Sequence, residues 1–116
     1  MEWDEKYKTI VKKKIVDLAQ RIVTGQVEIL LGCREIVAPI NELLSKGYDE
    51  NKELLNFFKG VDSESDDLPL GAERKRWNED ALKEKDKIRD KYSSDIKNEV
   101  IKNCQELIAL FSKDLS

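Results

Sequence analysis

The residues able to do chemistry are concentrated in one stretch, Gly60 to Trp77, which reads G-V-D-S-E-S-D-D-L-P-L-G-A-E-R-K-R-W. Asp62, Glu64, Asp66 and Asp67 crowd its first half, Glu73 follows, and Arg74, Lys75 and Arg76 turn it abruptly basic before Trp77. Asp62, Glu64 and Asp66 alternate like the first, third and fifth ligands of an EF-hand loop, and Glu73 falls at its twelfth position. The sixth position, where that loop needs glycine for a sharp turn, is Asp67, and Pro69 lies in the second half. Cation binding therefore has spacing in its favour and turn chemistry against it. Paired carboxylates can also serve as acid and base when their surroundings separate their pKa values. Here they lie on a polar segment with no nucleophile or histidine beside them, so no enzyme is expected.

Two further readings need no ligand chemistry at the carboxylates. In the first, the stretch is an ordered connection: its acids favour the start of the following helix, and Arg74 and Arg76 are near enough in sequence to pair with them. Pro69 and Gly71 set the turn, and Leu68 and Leu70 tuck into the core. In the second, Asp62, Glu64, Asp66 and Asp67 provide a field that steers toward a basic protein and Trp77 is the anchor, with Glu73 and Arg74 counted among the partner-binding residues. A core position is the ordinary fate of a tryptophan in such a place, so the two readings differ over where Trp77 lies.

Composition narrows the rest. A chain of 116 residues fits a single helical domain, residues 1–116, large enough to bury a core without staples. The 40% hydrophobic share argues against disorder, and the 39% charged share must cover the outer faces of helices. With no histidine at all, the commonest general base and metal ligand is missing, and no cofactor is expected. The net charge of −3 counts against nucleic-acid binding, and acids interleave the candidate bases Arg74, Lys75, Arg76, Lys83, Lys87 and Lys91. No apolar run approaches the roughly 20 residues needed to span a bilayer. The first residues lack the basic-then-apolar grammar of a signal peptide, and a cytoplasmic location is the expectation. Cys33 and Cys104 sit on apolar stripes and read as two buried free thiols.

The elements that position the stretch are helices. Trp3, Tyr7, Ile10, Val11, Ile15, Leu18, Ile22 and Val23 recur at spacings of three and four, predicting a helix over about 4–24. Lys12 and Lys13 should face water, with Lys14 snorkelling at the edge. A second helix is expected over about 26–45, with Gly32 marking a close helix contact and Pro39 a kink. Arg34 follows Cys33 near the buried edge and calls for a carboxylate partner. Gly47 reads as a C-cap, Asp49 as the N-cap of a short helix over about 50–59, and Gly60 as its end. Leu54, Leu55, Phe57 and Phe58 should bury that helix. Asn78 is placed to cap the final helix, which leaves 72–77 as a separate turn. Its core stripe is Ala81, Leu82, Lys85, Ile88, Tyr92, Ile96, Val100, Cys104, Leu107, Ile108 and Phe111. The expected fold is all-α: an antiparallel bundle of three long helices and one short helix, with an acidic connecting loop.

The run S-E-S-D-D-L-P-L-G followed by Arg74 and Trp77, with L-G-C-R upstream and N-C-Q-E-L-I downstream, resembles a family of small uncharacterised all-α bacterial proteins. In size and acidity the chain is also similar to the immunity proteins that neutralise contact-dependent growth-inhibition toxins, often nucleases. That resemblance implies a protein partner, a cognate toxin domain, and a mechanism of occlusion in which the acidic surface mimics phosphates over a basic active site. The alternative is an accessory or regulatory module that binds a ligand or divalent cation through the acidic loop.

Overall fold

The computed structural model describes residues 2–114, and their side chains from residue 5 onward. Within that span lie four α-helices, α1 (Glu2–Val23), α2 (Ile29–Ser45), α3 (Lys52–Glu64) and α4 (Glu79–Ser112), and one 3-10 segment, Gly71–Arg76. No strand occurs among the described residues. The expected all-α bundle is the fold that forms. α1 packs against both α2 and α4, and α2 carries α3 on its other side.

Helical spacing decides which residues meet in the middle. Val11, Ile15, Ala19 and Ile22 of α1 face Leu30, Cys33, Ile36, Ile40 and Leu43 of α2 and Val100, Cys104, Leu107 and Phe111 of α4, all buried. Each fully buried Leu, Ile or Phe contributes about 1.5–3 kcal/mol of transfer free energy. Gly32 is the expected close contact: a Cβ there would overlap Ile22 of α1. Ile10, expected on the inner face, is 54% exposed. Trp3 lies outside the described side chains. The roles of the lysines are exchanged relative to expectation. Lys14 is exposed, whereas Lys12 lies over the rings of Tyr48 and Phe111, 5.3 and 5.6 Å from their centroids, and donates to Asp114 at 2.7 Å.

The turns follow their residues. Gly25 adopts φ +79° beyond α1, and α2 begins three residues later than periodicity suggests, at Ile29. Gly47 adopts φ +89°, and the Tyr48 N–H behind it reaches back to the Leu43 carbonyl at 3.3 Å, closing a glycine C-cap. α2 runs through Pro39 as one helix, with the proline buried. Asp49 does not cap α3. That helix starts at Lys52 behind Asn51, which holds a left-handed φ of 57°. Nor does Gly60 end it. The buried positions Leu55 and Phe58 continue in step to Val61, and this packing outweighs the roughly 1 kcal/mol that glycine costs inside a helix. As a result Asp62 and Glu64 are helical, and the connecting loop is shorter than the acidic stretch.

α4 has 34 residues, about 51 Å at the usual rise, and so spans the 53 Å long axis of the molecule. Asn78 caps it as expected, accepting the Ala81 N–H at 2.7 Å. Its fully buried residues all fall at or after Val100, and Ile88, expected in the stripe, is 56% exposed. The first half of α4 is therefore a largely solvated arm beside the acidic stretch. No helix among the described residues is long and apolar enough to cross a membrane.

Candidate functional site

Between α3 and α4 the chain forms a strap, residues 65–78, built around the 3-10 segment. Leu68, Pro69 and Leu70 are buried and pin it to the bundle, as expected of the two leucines. Ser65 is fully buried at the end of α3, its hydroxyl donating to the Val61 carbonyl at 2.8 Å. Gly71 takes φ +57°, a backbone conformation that favours glycine, and a Cβ there would meet Leu31 of α2 at ordinary contact distance.

Arg34 organises the strap from α2. Its Nη2 donates to the Ser65 carbonyl at 2.6 Å and the Leu68 carbonyl at 3.3 Å, its Nε to Asp62 Oδ1 at 3.3 Å, and its Nη1 to Glu73 Oε1 at 2.5 Å. The planar fork suits this task, since donors fixed in one plane reach four acceptors on three segments at once. The Glu73 oxygen also accepts the Leu70 N–H at 2.9 Å. That backbone hydrogen bond, followed by the Arg34 guanidinium, holds the Glu73 carboxyl below the usual glutamate range.

A second arginine fastens the far end. Arg74 does not pair with the loop acids; it makes a two-pronged contact with Asp86 on α4, at 2.6 and 3.0 Å. Asp86 also lies 3.4 Å from Arg89 Nη1. The hydrogen bond to Asp86 pushes the Arg74 pKa up, and the same bond holds the Asp86 carboxyl down.

The expected site residues thus separate into an inward group and an outward group, with Glu64 standing apart from both. Asp62, Glu73 and Arg74 are half-buried or bonded inward and hold the strap in place. Glu64, the last residue of α3, is exposed beside the Tyr92 hydroxyl of α4. That hydroxyl is shut off from solvent with no hydrogen bond of good geometry, and burial, then the Glu64 carboxylate, push its pKa up. The outward group is Asp66, Asp67 and Trp77. Trp77 is 37% exposed, not a core residue. With Leu68, Pro69, Glu73 and Lys85 these residues line a shallow cleft of about 350 Å³.

No family model, curated protein or solved structure matches the chain. Its own geometry must carry the reading. Among the described residues, no three acidic, cysteine or histidine side chains are grouped so as to hold a metal ion. The first and twelfth positions of the EF-hand-like spacing, Asp62 and Glu73, both turn to Arg34 instead. A larger hollow of about 570 Å³ lies between the start of α3 and the end of α4, lined by residues such as Leu54, Phe57, Asn103 and Glu106, away from the acidic stretch.

Two residues of the site carry weak sequence signals. Arg34 stands out as a cation on an apolar helical face. Lys85 falls on the α4 stripe and reads as a core position, yet it sits at the rim, with its ammonium 3.3 Å from Asp67 Oδ2 and 6.0 Å from the centroid of the Trp77 ring.

Proposed function

We propose that the chain is a protein-binding module that docks the outer face of its strap on a basic partner, and that it acts as an immunity protein neutralising a bacterial toxin, a nuclease being the natural target. The observation that carries this reading is the half-exposed Trp77 ring beside the exposed carboxylates of Asp66 and Asp67, on a strap already ordered by Arg34 and Arg74. Tryptophan is among the residues most enriched at interface hot spots. Carboxylates at the rim raise the encounter rate with a basic surface and lose that effect as salt screens them. Occlusion needs no catalytic group on the inhibitor, only a shape and a charge complementary to the toxin's phosphate-binding site.

The test is co-expression with any toxin domain found encoded beside this chain, together with binding measured on the purified pair. Protection should be lost in Trp77→Ala, with binding weakened roughly thirtyfold, the effect of a hot spot worth about 2 kcal/mol. The Asp66→Asn, Asp67→Asn double variant should bind more slowly at low salt and approach the parent at high salt. Failure to protect against any neighbouring toxin overturns the immunity reading.

A further inference from the structure

The cleft beside Trp77 already contains a cation, and it belongs to the protein itself. Lys85 reaches across from α4 so that its ammonium meets the Asp67 carboxylate at 3.3 Å and lies over the indole at 6.0 Å. Ring face, carboxylate and apolar wall, here Trp77, Asp67 and Leu68 with Pro69, are together what holds a cationic side chain: the ring quadrupole and the carboxylate both attract the charge while the wall covers its stem. Lys85 satisfies the cleft only loosely. The ammonium is at the outer limit of a cation–π contact, and its carboxylate partner is 66% exposed. Asp66, at the same cleft, makes no hydrogen bond or ion pair among the described residues. The neighbouring carboxylates are engaged elsewhere, Glu73 and Asp62 by Arg34 and Asp86 by Arg74.

We propose that this cleft receives one arginine side chain projecting from the basic partner, and that Lys85 fills the place in the free protein and is displaced on docking. The inference rests on the docking reading above and adds the residue type that is recognised. A guanidinium suits the cleft better than an ammonium. It stacks flat on the indole and presents enough donors to engage Asp66 and Asp67 together, whereas Lys85 engages Asp67 alone.

The experiment uses the whole chain and a short neutral-backbone peptide carrying a single arginine, followed by the Trp77 indole N–H resonance at low salt. That resonance, assigned with Trp77→Phe, should move saturably. The same peptide with lysine should bind more weakly. Lys85→Gln should bind the arginine peptide about fivefold tighter, and Asp67→Asn about fivefold weaker, the scale set by one cation–π contact and one exposed ion pair. Lys83→Gln, which removes an equal charge from an exposed position on the same helix outside the cleft, should change binding less than about twofold. An indole signal that does not respond to the peptide overturns the proposal, and so does equal tightening by Lys85→Gln and Lys83→Gln. If the toxin is bound while the cleft ignores arginine, the cleft proposal alone fails. If arginine is bound as described and no toxin is neutralised, the cleft stands and the immunity reading falls.

Discussion

Arg34 Nη1 lies 2.5 Å from Glu73 Oε1, joining a helix to a 3-10 segment across 39 positions of chain. The same guanidinium gathers the Ser65 and Leu68 carbonyls, so one side chain fixes both ends of the turn between α3 and the 3-10 segment. Arg34→Ala should therefore remove one donor from each of two carbonyls and two carboxylates, and cost about 2–4 kcal/mol in urea unfolding. Of these acceptors the Ser65 carbonyl keeps the Leu68 N–H and Glu73 keeps the Leu70 N–H. Arg34→Lys should recover less than half of that loss, because an ammonium cannot present a planar fork. Full recovery by lysine would show that charge alone holds the strap.

Glu73 makes that arrangement sensitive to acid. The Leu70 N–H and then Arg34 favour its ionised form in the folded protein, so its folded pKa lies below the unfolded one. The folded state then binds this proton more weakly than the unfolded state. The associated stability is complete above the ordinary glutamate value of about 4.3 and disappears as the pH falls through the lowered folded value. Glu73→Gln should be the less stable protein at neutral pH, and its stability should fall less steeply below about pH 4.5. Parallel pH profiles for the two proteins would refute this role.

Cys33 and Cys104 respond at the other end of the scale. Burial pushes both thiols up to about 12. Their contribution to stability is present below the ordinary thiol value of about 8.5 and is lost as the pH rises toward the folded value, since the unfolded chain ionises first. At pH 8 the native protein should react with a disulfide reagent no faster than it unfolds. A fast reaction of either thiol under native conditions would contradict the buried positions.

Gly32→Ala tests the contact between α1 and α2. Alanine would add about 1 kcal/mol of helix propensity, but its Cβ would meet the stem of Ile22, a buried β-branched side chain with little freedom to withdraw. The overlap should prevail and lower stability by about 1–3 kcal/mol net, read as a fall in Tm. An unchanged or raised Tm would mean that the two helices part without cost.

Helices were legible in the sequence because periodicity and caps are local. The stripes of α2 and late α4 and the caps at Gly47 and Asn78 lie where the spacing puts them. The end of α3 was not legible, because Val61 and Asp62 extend the helix past Gly60 only through contacts that arrive from elsewhere. Arg34 announced a need for a carboxylate but not which one, since Asp62 and Glu73 lie 28 and 39 positions away. Lys12 and Lys85 show the limit of a stripe: spacing alone does not tell a lysine lying along an aromatic ring from one facing solvent. The acidic stretch stands out in the sequence by composition, but its division into inward and outward carboxylates depends on Arg34 and on Arg74 pairing with Asp86 rather than with its neighbours.

The solvated first half of α4 has a consequence for how the molecule opens. Between Glu79 and Glu99 no residue is fully buried, so this arm depends on the Asn78 cap and on Asp86 being held by Arg74. Fraying of those turns would release Arg74, leaving Glu73 with Arg34 as the ion pair that ties the 3-10 segment to the bundle. Amide protons of the strap and of early α4 should therefore exchange together, at a lower free energy than those around Val100 to Phe111. The part of the surface that carries Trp77 would thus be one cooperative unit, able to loosen while the core of the bundle stays closed.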